Sequence, residues 1–404
     1  MVYIVSDSVV SPLGFNTPDN FAALLRGQSG VWEQRRGDWS ETPVPASMIG
    51  DQTLSDKFLA GGFGDGHWTR FEKMLLLSVS DALSQAAVGA DDPDTVFIFS
   101  TTKGNIALLE NGNLANPALL LSNPARKVAA FFKNPNTPLV VSHACVSGVA
   151  ALLLGKRLLE SGRYRHAVVA GADEVTRYVW SGFQSFQALS NEPCRPFDSR
   201  RKGLNLGEGA AAMVLSIQPE RAAGRMLVRI LGGALSNDAN HISGPSRTGA
   251  ELSEAVNRAL GQSGLHAADI GFISAHGTAT PYNDEMEAKA FDLSGLNNTP
   301  MNSLKGHYGH TLGAAVRDVN FSALATRFCQ TCRSSVASPV IGGSASTTTC
   351  APASVPCRSA TTAFASAVMS TRPGASAVRP ARESSSRSSI SWPMRVAFCS
   401  MRTR

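Results

Sequence analysis

The segment PLVVSHACVSGVAALLLGKRLLESG (138–162) decides the fold that we expect for this chain. It begins with a short apolar run, which predicts a strand. Residues 146–160 are then apolar on almost every side, which is typical of a buried helix. Ser161 and Gly162 predict the end of that helix. A buried strand followed directly by a buried helix is the repeating unit of a layered α/β fold.

The same alternation of predicted strands and helices continues on both sides of this segment. TVFIFS (95–100), HAVVAGA (166–172) and AAAMVLSI (210–217) predict further buried strands. A polar segment at 218–225 separates this series from a second one, which begins with the apolar run MLVRILGGALS (226–236). A predicted helix over 249–263 and a predicted strand over 270–275 follow it. The two halves have a similar order of predicted strands and helices, which favours an internal duplication.

Residues 317–404 differ in composition from the rest of the chain. They contain 11 Arg, 18 Ser, no Lys and only two acidic residues, whereas residues 1–316 carry 26 basic and 29 acidic side chains. No period near 3.6 or 2 persists in this segment. Such a composition is what an out-of-frame reading of a GC-rich gene gives. We therefore expect a frameshift near codon 316 and a disordered tail over 317–404.

Charge and cysteine usage narrow the class of protein. The net charge of −3 over residues 1–316 is slightly acidic, whereas nucleic-acid binding favours a basic surface, so this charge does not indicate a nucleic-acid partner. Of the seven cysteines only Cys145 and Cys194 precede residue 317, which indicates a reduced compartment and no disulfide framework. The sequence shows neither an apolar run of about 18 residues nor a secretory signal. We expect a cytoplasmic enzyme with no membrane contact.

Cys145 lies at the turn between the predicted strand and the predicted buried helix. The free N–H groups and the positive end of the helix dipole at that turn favour a lowered thiol pKa. They can also hold an oxyanion once a thioester carbonyl is attacked. A lone buried cysteine is more often structural, so this segment by itself leaves both interpretations open.

A second segment, SAHGTATPYNDEMEAKAF (274–291), places His276 at the end of an apolar strand. Catalytic groups commonly follow the carboxyl ends of strands in α/β folds. Thr278 and Thr280 are two residues apart, so both hydroxyls can lie on one side of an extended segment. A histidine in this place could also be structural.

A third segment, NSLKGHYGHTLGAA (302–315), carries Lys305, His307 and His310 on a glycine-rich loop. Such a loop suits an anionic thioester head group, although a simple polar turn explains the segment in isolation. A metal site at His307 and His310 is disfavoured, because no carboxylate or cysteine stands nearby at ligand spacing.

Together these segments resemble the β-ketoacyl-(acyl carrier protein) synthases of the type I/II class. SHACVSG (142–148) is similar to the nucleophile elbow of that family, and HGTATPYND (276–284) and NSLKGHYGH (302–310) are similar to its two histidine motifs. Two further segments, CRPFDSRRKGLNLGEGAA (194–211) and VSPLG (10–14), match in the family order. The Cys-His-His set separates the chain from the type III class, and the retained cysteine separates it from chain-length-factor subunits.

The resemblance implies an α/β, thiolase-like fold in which two similar βα half-domains form a layered αβαβα architecture, with an incomplete C-terminal half. We accordingly expect an N-terminal half with the nucleophile over 1–220, a partial C-terminal half with both histidine motifs over 221–316, and the aberrant tail over 317–404.

The implied activity is that of a 3-oxoacyl-ACP synthase, an acyltransferase of fatty-acid or polyketide chain elongation. The nucleophile would accept an acyl group, and the two histidines would stabilise the enolate formed when malonyl-ACP loses CO₂. The residues that the resemblance assigns to catalysis are Cys145, His276, His310 and Lys305, and those that it assigns to the pantetheine arm are Thr278 and Thr280. No metal or other cofactor is expected beyond the phosphopantetheine of acyl carrier protein. The expected partners are that carrier and a second subunit, in a homodimer or in a heterodimer with another synthase subunit.

The sequence departs from the family after GHTLGAA (309–315). The family continues with Gly and then Glu, whereas Val316 and Arg317 stand here. The Gly-Phe-Gly-Gly loop that supplies an oxyanion-hole N–H in the family does not occur in the sequence. Activity is therefore expected to be impaired, and the alternative function is a structural dimer partner of an intact synthase.

Two other interpretations are weaker. A thiolase would need a second active-site cysteine, and residues 221–316 contain none. A zinc site formed by Cys329, Cys332, Cys350 and Cys357 is disfavoured, because the second pair is spaced by six residues rather than two.

Overall fold

The chain alternates strands and helices, as the sequence pattern predicts. The structure is a computed structural model that describes residues 1–37, 39–64, 66–225, 227–238, 245–314 and 401–402. Its strands are β1 (Val2–Val10), β2 (Val31–Gln34), β3 (Val44–Ser47), β4 (Thr95–Ser100), β5 (Leu139–Val141), β6 (His166–Asp173), β7 (Leu206–Gly207), β8 (Gly209–Ser216), β9 (Val228–Ile230), β10 (Ile273–Ser274), β11 (Met301–Asn302) and β12 (Met401–Arg402). Its helices are α1 (Thr17–Leu25), α2 (Asp51–Ala60), α3 (Arg70–Ser84), α4 (Ser122–Phe131), α5 (Ser147–Glu160), α6 (Arg177–Ser185), α7 (Ala250–Ser263), α8 (Pro281–Leu293) and α9 (Lys305–Tyr308). Short 3₁₀ turns lie at Ile106–Asn111, Pro117–Leu119, Pro219–Ala222, Ala267–Asp269 and Leu312–Ala314.

The main sheet of the described residues has the strand order β12-β9-β1-β8-β6-β4-β5. β8 is antiparallel to both β1 and β6, whereas β6, β4 and β5 run parallel. In the register of the centre, Val169 of β6 pairs with Ile98 on one side and Met213 on the other. The carboxyl ends of three parallel strands therefore meet at one edge, and Cys145 follows β5 there.

Helices cover both faces of the main sheet. On one face α3 buries Phe71, Met74 and Leu75 in a cluster with side chains of β4, β6 and β8. On the other face α5 packs so closely that a Cβ on Gly155 would lie 3.1 Å from the side chain of Leu215. This arrangement confirms the predicted buried helix over 146–160, because an all-round apolar helix is stable only when it is enclosed.

A smaller group of elements carries the histidine segments. β10 and β11 are parallel, with Ile273 opposite Met301, and α7 and α8 pack beside them in a second apolar cluster. Because parallel strands end at the same edge, the residues after β10 and those after β11 leave the pair together. This pairing brings the two histidine motifs to one place.

Some predicted elements are shorter or lie elsewhere. The run 226–236 contributes only β9, which joins the main sheet beside β1, and the strand expected over 270–275 is reduced to β10. The domain division at 220 and 316 stays a prediction. The predicted tail lies outside the described residues except for β12, which pairs with β9. Among the described helices none is long and apolar enough to cross a bilayer.

A buried group of charges lies where β7 ends. The Glu208 carboxylate is fully buried; it pairs with the Arg70 guanidinium and accepts the Ile49 N–H at 2.7 Å. Glu174 lies beside this pair, and burial, followed by repulsion from Glu208, raises the pKa of its carboxyl group from 4.5 to about 8. The cluster therefore keeps one carboxyl group protonated at neutral pH.

Glu174→Gln should flatten the pH dependence of stability. The unfolded chain releases the Glu174 proton near its ordinary pKa of 4.5, while the folded chain holds it to about 8, so the stability that this group contributes is lost as pH rises through that window. One pH unit corresponds to about 1.4 kcal/mol. Between pH 5.5 and 7.5, urea denaturation should show that the wild type loses about 2–3 kcal/mol more than the variant. Parallel stability profiles for the two proteins would contradict this assignment.

Candidate active site

Cys145 lies at a tight turn between β5 and α5. Ala144 adopts a left-handed φ of 46°, which is uncommon for a residue with a side chain. The turn is held by Ser147, whose hydroxyl accepts the His143 N–H at 2.7 Å and donates to the Ala144 carbonyl at 2.6 Å. The Cys145 Sγ atom lies 2.9 Å from Nε2 of His310. The sharp bend therefore turns the thiol toward the second histidine motif.

The pKa of the Cys145 thiol differs from the expectation based on its position. The cysteine does precede a helix N-terminus, which predicted a lowered pKa. The side chain is only 8% exposed, however, and burial raises the pKa of the thiol to about 12, although the positive charge of Lys305 opposes this shift. Desolvation of the thiolate outweighs the favourable charges. The resting enzyme therefore holds a neutral thiol at Cys145. The expectation of a lowered thiol pKa was wrong.

His276 follows β10 on a loop that the Glu287 carboxylate supports. Its backbone N–H donates to the Glu287 carboxylate at 2.6 Å, and the next N–H, of Gly277, donates to the same carboxylate at 2.8 Å. Its ring lies 5.2 Å from that of His310 between centroids, nearly perpendicular to it. Burial, followed by the charge of Lys305, lowers the pKa of His276 well below 6.5. The His276 imidazole is thus neutral at neutral pH.

His310 is fixed through both its backbone and its ring. The backbone N–H donates to the Asn205 carbonyl at 2.7 Å, and the His310 carbonyl accepts the Gly207 N–H at 3.0 Å. Ring atom Nδ1 accepts the Leu312 N–H at 3.4 Å. In a neutral imidazole one nitrogen accepts and the other carries the proton. This hydrogen bond therefore assigns the proton to Nε2, which faces the Cys145 sulfur.

The structure brings the remaining predicted residues to the same region. Lys305 is 3% exposed at the start of α9, and its positive charge acts on both Cys145 and His276. The hydroxyls of Thr278 and Thr280 lie 2.8 Å apart, on one side of the loop after His276, as their spacing predicts. His307 instead turns its Nδ1 to the Gln28 carbonyl at 2.8 Å.

The Cys145, His276 and His310 side chains also form a donor set of the kind that binds metals. Their ligand atoms all lie within 4.8 Å of one another, and all three residues are buried. Two ligands of one tetrahedral zinc ion, at about 2.3 Å for sulfur and 2.0–2.1 Å for nitrogen, would be roughly 3.6 Å apart. The Sγ–Nε2 distance of 2.9 Å is that of a hydrogen bond instead. The geometry thus fits a nucleophile with a donor beside it.

Several residues that build the site were given no role from the sequence motifs. Glu287 and Asp284 support the His276 loop, the latter by accepting the N–H groups of Thr278 and Ala279 at 2.9 and 3.1 Å. Their spacing of three places them on one face of α8, which could have indicated a shared role. Asp173, at the end of β6, gave no signal, because its contacts lie far away in sequence.

Two family models match the chain. The model described as "Beta-ketoacyl synthase, N-terminal domain" matches residues 1–220, and that described as "Beta-ketoacyl synthase, C-terminal domain" matches residues 227–324. Together they span well over half of the sequence.

Similar curated proteins are 3-oxoacyl-[acyl-carrier-protein] synthases. Synthase 2 of Rhizobium meliloti is 34% identical over 370 residues, which cover 81% of this chain and 86% of that protein. Synthase 2 of Vibrio cholerae is 28% identical over 358 residues, which cover 78% and 83%.

Solved structures similar to this chain are also ketosynthases. A ketosynthase from Xenorhabdus doucetiae, in complex with its chain length factor, is 28% identical with a TM-score of 0.64 and covers 78% of this chain and 81% of that chain. The ishigamide ketosynthase/chain length factor is 27% identical with a TM-score of 0.67, covering 78% and 82%. The expected thiolase-like fold is confirmed by these likenesses.

Proposed function

Because this chain belongs to the β-ketoacyl synthase family, we propose that it catalyses a decarboxylative Claisen condensation between an acyl group and a malonyl thioester, both carried by acyl carrier protein. The observation that carries the proposal is the buried Cys145 thiol, 2.9 Å from His310 Nε2, with the His276 ring beside it. A neutral thiol, two imidazoles and a buried cation in one dry site suit thioester chemistry and enolate stabilisation.

The first half-reaction loads Cys145. Its sulfur attacks the thioester carbonyl of the acyl carrier, a new C–S bond forms, and the bond to the pantetheine sulfur breaks. The proton of the Cys145 thiol ends on the departing pantetheine thiol, so no charge accumulates over the step. The Nε2–H group of His310 points at the sulfur and stabilises the thiolate as it develops, which offsets the desolvation that raises the pKa of the thiol to about 12.

The second half-reaction forms the carbon–carbon bond. The malonyl thioester loses its carboxylate as CO₂, and the electron pair enters an enolate whose oxygen accepts N–H groups from His276 and His310. The enolate carbon then attacks the carbonyl of the acyl-Cys145 thioester and expels the cysteine sulfur, which takes a proton from solvent. Because burial keeps His276 neutral, it acts as a hydrogen-bond donor without carrying a charge into the site.

The proposed partners follow from the reaction and the relatives. Acyl carrier protein would present both substrates on phosphopantetheine, and we assign Thr278 and Thr280, with adjacent hydroxyls, to the polar part of that arm. No other cofactor is proposed. The ketosynthase of X. doucetiae is in complex with its chain length factor, which supports a second synthase-type subunit as partner here. The retained, hydrogen-bonded nucleophile favours catalysis over a purely structural subunit.

Covalent loading of Cys145 tests this function. After incubation with an acyl-loaded carrier protein, intact-mass measurement should show one acyl group on the wild type and none on Cys145→Ala. Cys194→Ala is the matched control; within the described residues it removes the second buried thiol, and it should still be loaded. If the wild type stays unloaded, or if Cys145→Ala is loaded equally, the proposal fails. An unloaded chain that co-purifies with an intact synthase would instead support the structural role.

A further inference from the structure

A buried carboxylate that the reaction does not use lies behind the active site. Asp173 ends β6 and is 1% exposed. Its carboxylate accepts the Thr101 hydroxyl at 2.7 Å, the Thr102 N–H at 3.2 Å and the Thr102 hydroxyl at 3.3 Å, all on the loop that follows β4. It also accepts the N–H of Gly313 at 2.6 Å. One carboxylate thus joins the end of the main sheet to the segment that follows His310.

The Gly313 peptide is held from both sides. While Asp173 accepts its N–H, the Ser100 hydroxyl donates to its carbonyl at 2.9 Å. A Cβ on Gly313 would lie 2.8 Å from both the Asp173 carboxylate and the Thr101 Cα atom, so the segment lies directly against the sheet edge. Leu312, immediately before, has a φ of 49°, which a leucine adopts only when its surroundings hold it there. The anchored glycine supplies that restraint.

This restrained turn determines which nitrogen of His310 carries the proton. The Leu312 N–H donates to Nδ1 of His310 at 3.4 Å, and Nε2 of the same ring lies 2.9 Å from Cys145 Sγ. If the turn relaxed, Nδ1 would lose its donor, and the neutral ring could carry its proton on either nitrogen. The anchored Leu312–Gly313 peptide therefore restrains the neighbouring peptide, whose N–H meets Nδ1 of His310.

We propose that Asp173 is a positioning residue of the condensing centre: its carboxylate anchors the Leu312–Gly313 turn, and the turn keeps the proton of His310 on Nε2, facing Cys145. This inference rests on the proposed roles of Cys145 and His310. It adds a link between the sheet edge and the histidine that neither the motifs nor the relatives indicate.

The protonation state of Asp173 should therefore matter. The N–H groups of Thr102 and Gly313 can only donate, and the ionised carboxylate accepts them together with both threonine hydroxyls. Burial raises the pKa of Asp173 to about 6 despite these donors. The charged or titratable groups that act on it or respond to it are Lys103 on the loop after β4, Cys145 before α5, and the adjacent Glu174. Protonation of the oxygen that accepts the Gly313 N–H would place an O–H against that donor, and the turn would lose its anchor.

The test reads the His310 tautomer directly. In protein labelled with ¹⁵N-histidine, the His310 resonances are identified by their loss in His310→Gln. At pH 7.5 the wild type should show a protonated Nε2, and lowering the pH through about 6 should increase the fraction of neutral rings that are protonated on Nδ1. Asp173→Asn keeps the side-chain shape but replaces one acceptor by a donor. It should show mixed tautomers at pH 7.5, lose the transition near pH 6, and lower kcat for acyl transfer about tenfold with little change in KM.

Asp7→Asn is the matched control. Asp7 is a buried carboxylate that accepts a threonine hydroxyl, from Thr17 at 2.8 Å, but it lies on β1 away from the histidines. It should leave the His310 tautomer unchanged even if it lowers stability. The inference is overturned if Asp173→Asn keeps the Nε2-protonated ring and full acyl-transfer kcat, or if the wild type shows no transition near pH 6. The tautomer readout needs no condensing activity, so a failure to load Cys145 would count against the proposed function alone.

Discussion

His276→Ala should lower the rate of condensation by about 10²–10³ while covalent loading of Cys145 changes only a few-fold. Removing one donor that stabilises a developing oxyanion in a water-excluded site has an effect of about this size. The His276 ring is 7% exposed and neutral, and it lies beside His310, whereas the 2.9 Å contact with the Cys145 sulfur comes from His310. Loading and condensation should therefore separate in this variant.

Single-turnover measurements of acyl loading and of CO₂ release would show that separation. His307→Ala is the control, because it removes a histidine of the same motif whose ring contacts Gln28 instead of the nucleophile. It should change either rate by less than about threefold, because the contact that it removes lies outside the Cys145–His310 pair. Equal losses of loading and of condensation in His276→Ala would place this histidine in the first half-reaction and contradict the assignment.

Gly207→Ala should destabilise the fold by more than about 3 kcal/mol. A Cβ on Gly207 would lie 1.9 Å from the Tyr308 carbonyl oxygen and 3.0 Å from its carbonyl carbon. Neither backbone segment can retreat easily, because the Gly207 N–H donates to the His310 carbonyl at 3.0 Å and the next N–H, of Glu208, donates to Ser47. The substitution would push the His310 segment away from β7, so both stability and acyl loading should be lost.

Thermal unfolding would compare the stability of Gly207→Ala with that of a control variant, Gly182→Ala, and of the wild type. Gly182 lies inside α6, and no atom lies within 4 Å of the Cβ that would be added there. Alanine is favoured over glycine in a helix interior by roughly 0.5–1 kcal/mol, so this control should be as stable as the wild type or more stable. A Gly207→Ala protein within about 1 kcal/mol of the wild type would show that the β7 contact is looser than described.

The sequence alone was sufficient to predict the helices and strands that a local pattern of apolar residues specifies. Residues 146–160 are apolar on nearly all sides, and such a helix can only be buried; the structure has α5 at Ser147–Glu160. The runs at 95–100 and 166–172 became β4 and β6 for the same reason, since unbroken apolar runs of that length predict fully buried strands. The motifs around Cys145, His276 and His310 likewise identified the family, because the chemistry requires particular residues in a particular order.

Only the tertiary structure decided how these parts meet. Strand order and the placement of β9 beside β1 depend on long-range pairing, which a local pattern does not encode. The same holds for the thiol: a helix N-terminus is visible in the sequence and favours a thiolate, but the burial that raises the pKa of Cys145 comes from side chains across the whole fold. Asp173 could not be recognised from its neighbours, because the atoms that give it a role belong to Thr101 and Gly313. Residue identity determined the chemistry available to this protein, and packing determined the protonation and geometry in which that chemistry stands.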